Sequence, residues 1–588
     1  MKLSDYIVEF FIRKGIPHFF GYQGTMIAHL VDSIERNPNA HNHSCYNEQG
    51  ASFAACGYAQ STNTCACAYA TSGPGAVNLL SGVANAYFDS QPVIFLTGQI
   101  NTTEQTGIST LRQQAFQEIN IVDMAAPVTK YAVQITREED IVRELNKAYY
   151  IANSGRKGPV LIDLPMNIQR GSVSDPVYDM DDSCFAEYAE ADPEEAVIAA
   201  KTCTDTMLEA LATAKRPVIM IGNGVNHATS AEKLLAVARK LQIPVITSVL
   251  AKSLLAADDS LNFGCIGSAY GHRYANLIAN AKSDLLLCFG ISLCTRQTGV
   301  NIHEFARSAK IIRMDIDPSN LLRDVHKNGE NEYKYHTDAA LVIDQLSAAV
   351  ENSDLRFHEW TETCTLIKER LEAVDASTPE HYVNNTIRHI SEALGDSGAI
   401  AVDVGQHMVW SYYSFQNQEG QKLLFSGGHG AMGYALPAAI GAHYATGKPV
   451  ACICGDGAFQ MNIQELQWVV RENIPISIFV MNNSALGLIC QQQRSMFKGL
   501  YAGANSSSGF TSCSFTAIAQ AYGIKAMTAA PDISASEIAA FVRGNAPGLV
   551  EVILPWDTCA YPKTSFGEPI HNQQPYIPED IYNELMQL

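Results

Sequence analysis

Gly455-Asp456-Gly457 closes an apolar run, "PVACICGDG" (residues 449–457), and Asn482-Asn483 closes the next, "ISIFVMNN" (residues 476–483). The stretch between them, residues 462–472, reads as a helix. A strand–turn–helix–strand unit of this kind brings Asp456 and Asn483 to one edge of a parallel sheet. Their carboxylate and amide oxygens, with nearby backbone carbonyls such as that of Ala485, are hard donors suited to Mg²⁺. The glycine turn also leaves backbone N–H groups open to a diphosphate at a helix N-terminus. Alone, Gly-Asp-Gly reads as a surface turn. Paired with Asn-Asn at the end of the following strand, it reads as a metal–diphosphate site.

Such residues need a sheet to hold them, and the chain repeats the required pattern. Apolar runs ending in glycine or proline recur at residues 92–99, 158–165, 216–224, 283–292 and 449–457, each followed by a helix-like pattern. Continuous apolar strands alternating with helices imply parallel sheets covered on both faces. Residues 171–193, polar and without sustained periodicity, and residues 351–379, a charged helix with a Ser–Thr–Pro break, read as linkers. The expected fold class is therefore α/β, with three doubly wound parallel-sheet domains at residues 1–170, 190–350 and 375–560 and a C-terminal tail at 561–588. The first and third share a layout, which hints at duplication.

Composition narrows the partners. At 588 residues the chain is too long for one core, and its net charge of −20 argues against nucleic acid and anionic membranes. The 15 cysteines lie scattered in apolar stretches without paired metal-ligand spacing, so free thiols in a reducing compartment are expected. Residues 1–14 alternate apolar and charged positions as an amphipathic helix does, and no apolar run is long enough to span a bilayer. A cytoplasmic location is the expectation.

With the Gly-Asp-Gly…Asn-Asn pair stand "NEQGASFAACGYA" (47–59), "TSGPGAVN" (71–78), "TGQ" (97–99), "AFQE" (115–118), "VGQHMVW" (404–410) and "GAMGYALPAAIGA" (430–442). Together these resemble the thiamine-diphosphate (ThDP)-dependent acetolactate (acetohydroxyacid) synthases along nearly the whole chain. The resemblance implies ThDP and Mg²⁺ as cofactors, an N-terminal pyrimidine-binding domain, a central nucleotide-fold domain and a C-terminal diphosphate/Mg-binding domain. It implies an enzyme that decarboxylates pyruvate and transfers the two-carbon acetyl unit to a keto or aldehyde acceptor. It also implies a homodimer, or a dimer of dimers, with the active site across the interface.

The resemblance carries roles onto single residues. Glu48 would hydrogen-bond the aminopyrimidine ring as an acid/base relay, and Met432 would wedge between the cofactor rings. Gly24, Pro74, Gly405, Gln406, His407, Gly430, Gly455, Gly457, Ala458, Leu486 and Gly487 match cofactor-contacting positions. Gln99, Phe116 and Gln117 match the substrate end of the cleft, and Lys130 an active-site-channel position. Without the family match, Met432 reads as core and Lys130 as a solvated surface residue.

The chain also departs from the family. The turn "GYQGTM" (21–26) puts Gln23 and Thr25 where a proline and a second glycine are usual. Asn47 stands in place of a histidine, and Gln492 in place of a tryptophan that favours 2-ketobutyrate. These changes line the acceptor side and leave the acceptor open. FAD is open too: "IGNGV" (221–225) is only a partial nucleotide fingerprint, and "GISLCTRQTG" (290–299) keeps Arg296 and Gly299 while losing an arginine and an acidic pair. The alternatives are a ThDP 2-keto acid decarboxylase or lyase, a C–C hydrolase, and a non-catalytic scaffold.

Overall fold

Three six-stranded sheets follow one another along the chain, all their strand pairs parallel. The computed structural model describes residues 1–108, 110–227 and 230–588, with His227 described by its backbone alone. The first sheet runs, edge to edge, His41–Ser44, His18–Gly21, Ala66–Ala70, Val93–Gln99, Val160–Pro165 and Tyr131–Gln134. The third runs Lys422–Phe425, Ala399–Val402, Val450–Gly455, Ile476–Asn482, Gly548–Ile553 and Lys525–Ala529. Numbered in chain order, both read 2-1-3-4-6-5, so the two domains share one topology. Their inner strands, such as Val93–Gln99 and Ile476–Asn482, are buried at every position, as expected of a sheet covered on both faces.

The central sheet, with strands between Pro217 and His336, reads 3-2-1-4-5-6. This is the dinucleotide-fold order, which reverses between Pro217–Ile221 and Leu285–Phe289. At that reversal a Cβ on Gly222 would lie 2.0 Å from the Gly290 carbonyl oxygen, so only glycine permits the two strand ends to approach.

Three segments differ from their sequence reading. Residues 351–379 contain the 19-residue helix His358–Ala376, whose Trp360, Cys364, Ile367 and Leu371 enter the core of the central domain. Their 4-3-4 spacing is a helical stripe half hidden by the charges around it. The tail is also part of that domain. Ile570 and Leu585 are buried in its core, the Arg273 guanidinium pairs with Asp375 at 2.6 Å, and Arg273 Nη1 donates to the Gln573 carbonyl at 2.7 Å. The residue 171–193 segment returns to the first domain, where Tyr178 packs on Tyr6.

The first and third domains meet through two helices, Glu48–Thr62 and Ala435–Thr446, each following the second strand of its own sheet. Small residues let them cross closely. A Cβ on Gly57 would lie 2.2 Å from the Ala438 carbonyl oxygen, and one on Gly441 would lie 1.9 Å from that of Ala54. The described cysteines are all free thiols, most of them buried. Among the described residues, no helix is long and apolar enough to cross a membrane.

Candidate active site

The site begins where strands of the third sheet end. Asp456 opens the short helix Asp456–Phe459 directly after the strand Val450–Gly455. It is buried, and burial raises its carboxyl to about 7, although the N–H groups of Gly457, Asp456 and Ala485 face it. Asp456 Oδ2 has no hydrogen-bond partner. On the neighbouring strand, Asn483 Oδ1 accepts from Ala485 N at 3.2 Å, so one backbone loop serves both side chains. A buried carboxylate oxygen without a partner, beside an amide and backbone carbonyls, is the donor chemistry of a Mg²⁺ site.

Gln406 positions the second of these groups. It starts the helix Gln406–Ser414. Its Nε2 donates to the Thr558 carbonyl at 2.7 Å, and its Oε1 accepts from Asn483 Nδ2 at 3.1 Å. Gly487 must lack a side chain, because a Cβ there would lie 2.0 Å from Gln406 Oε1. His407 is buried with Nε2 unpartnered, and burial lowers its ring to about 3, so it is neutral at pH 7. Its ring fills the space left by the missing Cβ atoms of Gly405 and Gly455.

Met432 faces the Gly455–Gly457 turn. Its Cε lies 3.5 Å from where Gly457 would carry a Cβ, and a Leu486 methyl lies 2.8 Å from the same point. Gly430 precedes Met432 with φ +71°, a left-handed conformation that favours glycine. Ala458 and Ala485 are buried beneath the turn. Residues 462–472 are not one helix: a 3₁₀ turn, Gln460–Glu465, breaks at Asn462, and Leu466–Arg471 follows. The break has a cause, since Asn462 Nδ2 donates to both the Gly433 carbonyl at 2.8 Å and Gln49 Oε1 at 3.2 Å.

In the first domain, Asn47 caps the Glu48–Thr62 helix by accepting from Gln49 N at 2.8 Å. Glu48 is 8% exposed, and its Oε2 accepts from Asn78 Nδ2 at 2.9 Å. Pro74 starts the helix Pro74–Phe88, and a Cβ on the next residue, Gly75, would lie 2.9 Å from Glu48 Oε1. The turn before Pro74 carries Gly73 at φ +63°, against which Gln117, itself at φ +60°, is pressed. Gly24 is pressed against Thr71 in the same way, 2.5 Å from its would-be Cβ, while Gln23 and Thr25 are exposed.

The remaining expected residues lie differently. Gln99 is buried, with Nε2 donating to Asp163 and the Ile119 carbonyl and Oε1 accepting from Ile100 N. Its side chain braces the sheet and keeps one acceptor lone pair on Oε1. Lys130 donates to the Ser154 carbonyl at 2.7 Å and pairs with Glu190 at 3.1 Å, at the seam between the first domain and residues 171–193. Phe116 is 78% exposed, and Gln492 is exposed on the helix Gly487–Met496.

The sequence reading missed Asn78, Asp403 and Asn462. Asp403 closes the strand Ala399–Val402 and accepts from Val404, Gly433 and Ala435 N–H groups; burial raises its carboxyl to about 6. An aspartate at the end of an apolar strand, one residue ahead of the Gly405 turn, was the available signal.

Comparison with known proteins agrees with this geometry. The profile of the thiamine pyrophosphate enzyme N-terminal TPP binding domain matches residues 1–124, that of the central domain 204–346, and that of the C-terminal TPP binding domain 403–552. The chain is 32% identical over 578 residues to acetolactate synthase 1, chloroplastic, of Zea mays, covering 96% of this chain and 87% of that one. It is 32% identical over 572 residues to a probable acetolactate synthase large subunit of Methanocaldococcus jannaschii, covering 94% and 92%. It is also 32% identical over 566 residues to the acetolactate synthase large subunit of Lactococcus lactis, again covering 94% and 92%. With all three domains matched and likeness sustained from end to end, the chain belongs to the thiamine-pyrophosphate enzymes, in their acetolactate synthase-like family.

Proposed function

We propose that the chain is a ThDP- and Mg²⁺-dependent carboligase that decarboxylates pyruvate and transfers the two-carbon acetyl unit to a second carbonyl compound. With pyruvate as acceptor the product is 2-acetolactate. The observation that carries the reading is the unpartnered Asp456 Oδ2, buried beside Asn483 and facing the turn that Met432 overlooks. Among the described residues no cluster of three or more His, Cys, Asp or Glu gathers as a metal cage. A single carboxylate with amide and carbonyl oxygens instead suits Mg²⁺ shared with a diphosphate.

Bound ThDP supplies an acidic thiazolium carbon and an electron sink. The residues supply the rest. Asp456 and Asn483 would hold the metal, and the glycine-turn amides and His407 would face the diphosphate. Met432 would pack against the two rings. Glu48 would keep or release a proton at its carboxyl against the pyrimidine, with Asn78 fixing the carboxyl's orientation. Gln117 and Phe116 would close the substrate end and exclude water, a role that Gln99 supports by bracing the strand beneath.

Tyr22, Val77, Phe116 and Met461 stand exposed around these turns, which fits a second copy covering them. We read the active unit as a homodimer in which Glu48 of one copy serves the Asp456–Asn483 side of the other. A cavity of about 410 Å³ opens where the sheet reversal of the central domain meets the other two domains, lined by Gly222, Gly290, Asp315 and Arg296, by Arg156 and Asp89 of the first domain and by Gly427 of the third. Its position, two glycine approaches and two guanidinium groups fit a dinucleotide, and FAD is the one proposed. Free buried thiols fit a reducing compartment such as the cytoplasm.

The test is product identity from pyruvate alone, with ThDP and Mg²⁺ omitted in turn. Acetolactate supports the carboligase, and acetaldehyde would assign a decarboxylase. No turnover in ThDP-loaded protein would overturn pyruvate as the sole substrate. Flavin fluorescence released on denaturation tests FAD.

A further inference from the structure

Residues 426–434 carry Met432 toward the Asp456 turn with no strand or helix ladder beneath them, between the strand Lys422–Phe425 and the helix Ala435–Thr446. Side chains take their backbone groups instead. Gly427 and Gly428 N donate to the two carboxylate oxygens of Asp89 at 3.1 and 2.6 Å. Ala431 N donates to Ser426 Oγ at 2.8 Å, and that hydroxyl donates to Asn85 Oδ1 at 2.6 Å. Gly433 and Ala435 N donate to Oδ1 and Oδ2 of Asp403, both at 2.9 Å. The Gly433 carbonyl accepts from Asn462 Nδ2. The strap is thus anchored at each end by a carboxylate no more than 2% exposed, one from the first domain and one from the third.

A wedge works only if it does not recoil. Methionine has three soft torsions and cannot be stiff by itself, so stiffness at Met432 has to come from its backbone. That backbone contains Gly430 at φ +71° and Gly433 at φ +84°, which add freedom. Charge-assisted bonds to buried carboxylates are the strong restraints available, and each carboxylate grips two amides of the strap.

We propose that Asp403 and Asp89 are positioning residues that clamp the strap at both ends and so hold Met432 against the cofactor rings. The proposal rests on the reading of Met432 as the ring wedge. Asp403→Asn keeps the size of the side chain but turns an N–H₂ toward backbone N–H groups, so half the clamp is lost.

The experiment uses the full-length enzyme loaded with ThDP and Mg²⁺, comparing Asp403→Asn, Asp89→Asn and Met432→Ala. The readouts are deuterium exchange at the thiazolium carbon of bound ThDP, kcat and KM for pyruvate, and amide exchange in the peptide covering 426–435. Asp403→Asn is expected to slow thiazolium exchange and kcat together by about 10- to 100-fold. ThDP affinity should stay within a few-fold, and strap amides should exchange faster. Asp89→Asn should act in the same direction. Normal thiazolium exchange in Asp403→Asn, with Met432→Ala slowed, overturns the clamp and leaves the wedge standing. Normal exchange in Met432→Ala overturns the wedge reading itself. Should Asp403→Asn fail to fold, Asp89→Asn and the wild-type strap decide: unprotected wild-type amides in 427–435 overturn the proposal, and protected ones that Asp89→Asn releases support it.

Discussion

Asn78 Nδ2 donates to Glu48 Oε2 at 2.9 Å, so the proposed proton-handling carboxyl has one oxygen held and the other facing the Gly75 turn. An amide donor fixes orientation without adding charge. Glu48→Gln keeps the shape and removes the carboxyl that the proposed proton relay needs. Turnover measured as CO₂ release from pyruvate should fall at least about 100-fold, the scale of lost general acid–base catalysis. ThDP affinity should change little. Unaltered turnover would mean that Glu48 is only a helix-start residue.

Asp456→Asn removes the one carboxylate of the metal turn and leaves its packing. The Mg²⁺ concentration giving half-maximal activity should rise by about tenfold or more, since even outer-sphere changes cost 10- to 100-fold in affinity. A Mg²⁺ titration of the variant at saturating ThDP checks this, and an unshifted titration would remove Asp456 from the metal site.

The interdomain seam is sensitive to one methyl group. Gly57→Ala would place a Cβ 2.2 Å from the Ala438 carbonyl oxygen, a backbone atom that cannot swing aside. Overpacking of this kind typically costs about 1–3 kcal/mol. Denaturant unfolding should register that loss, and a variant as stable as the parent would mean that the two helices can slide apart.

Glu465, with no exposed surface, accepts from Tyr46 N across the same seam at 3.1–3.2 Å, and burial raises its carboxyl to about 7 from an ordinary 4.5. Between those values the folded chain binds more protons than the unfolded one. The contribution of Glu465 to stability is therefore complete below about 4.5 and is lost as pH rises toward 7. Glu465→Gln lacks this dependence. Wild-type stability minus that of the variant should fall with rising pH across this window, by up to about 1.4 kcal/mol per unit. A flat difference would show that Glu465 titrates alike in both states.

That Asp456 and Asn483 come to one sheet edge was legible in the chain itself. Asp456 and Asn483 each end an apolar strand, and strand ends adjacent in a parallel sheet must share an edge. The roles proposed for Glu48 and Met432 come from resemblance, because they rest on motifs and not on periodicity. That the helix His358–Ala376 packs into the central core was obscured, because its apolar stripe is narrow and charges surround it.

What tertiary structure alone decided was the use of each polar side chain. Gln99, Asn78, Asp403 and Asn462 have the same hydrogen-bonding groups in the sequence whether they face a substrate or brace a backbone. Their partners lie in other elements: Asp163 for Gln99, Glu48 for Asn78, Gly433 and Ala435 for Asp403, and Gly433 and Gln49 for Asn462. Local pattern determines where strands end and which residues stand at those ends. Which of them are free to do chemistry is decided by burial, where every donor and acceptor must find a partner and only those left without one can take a ligand.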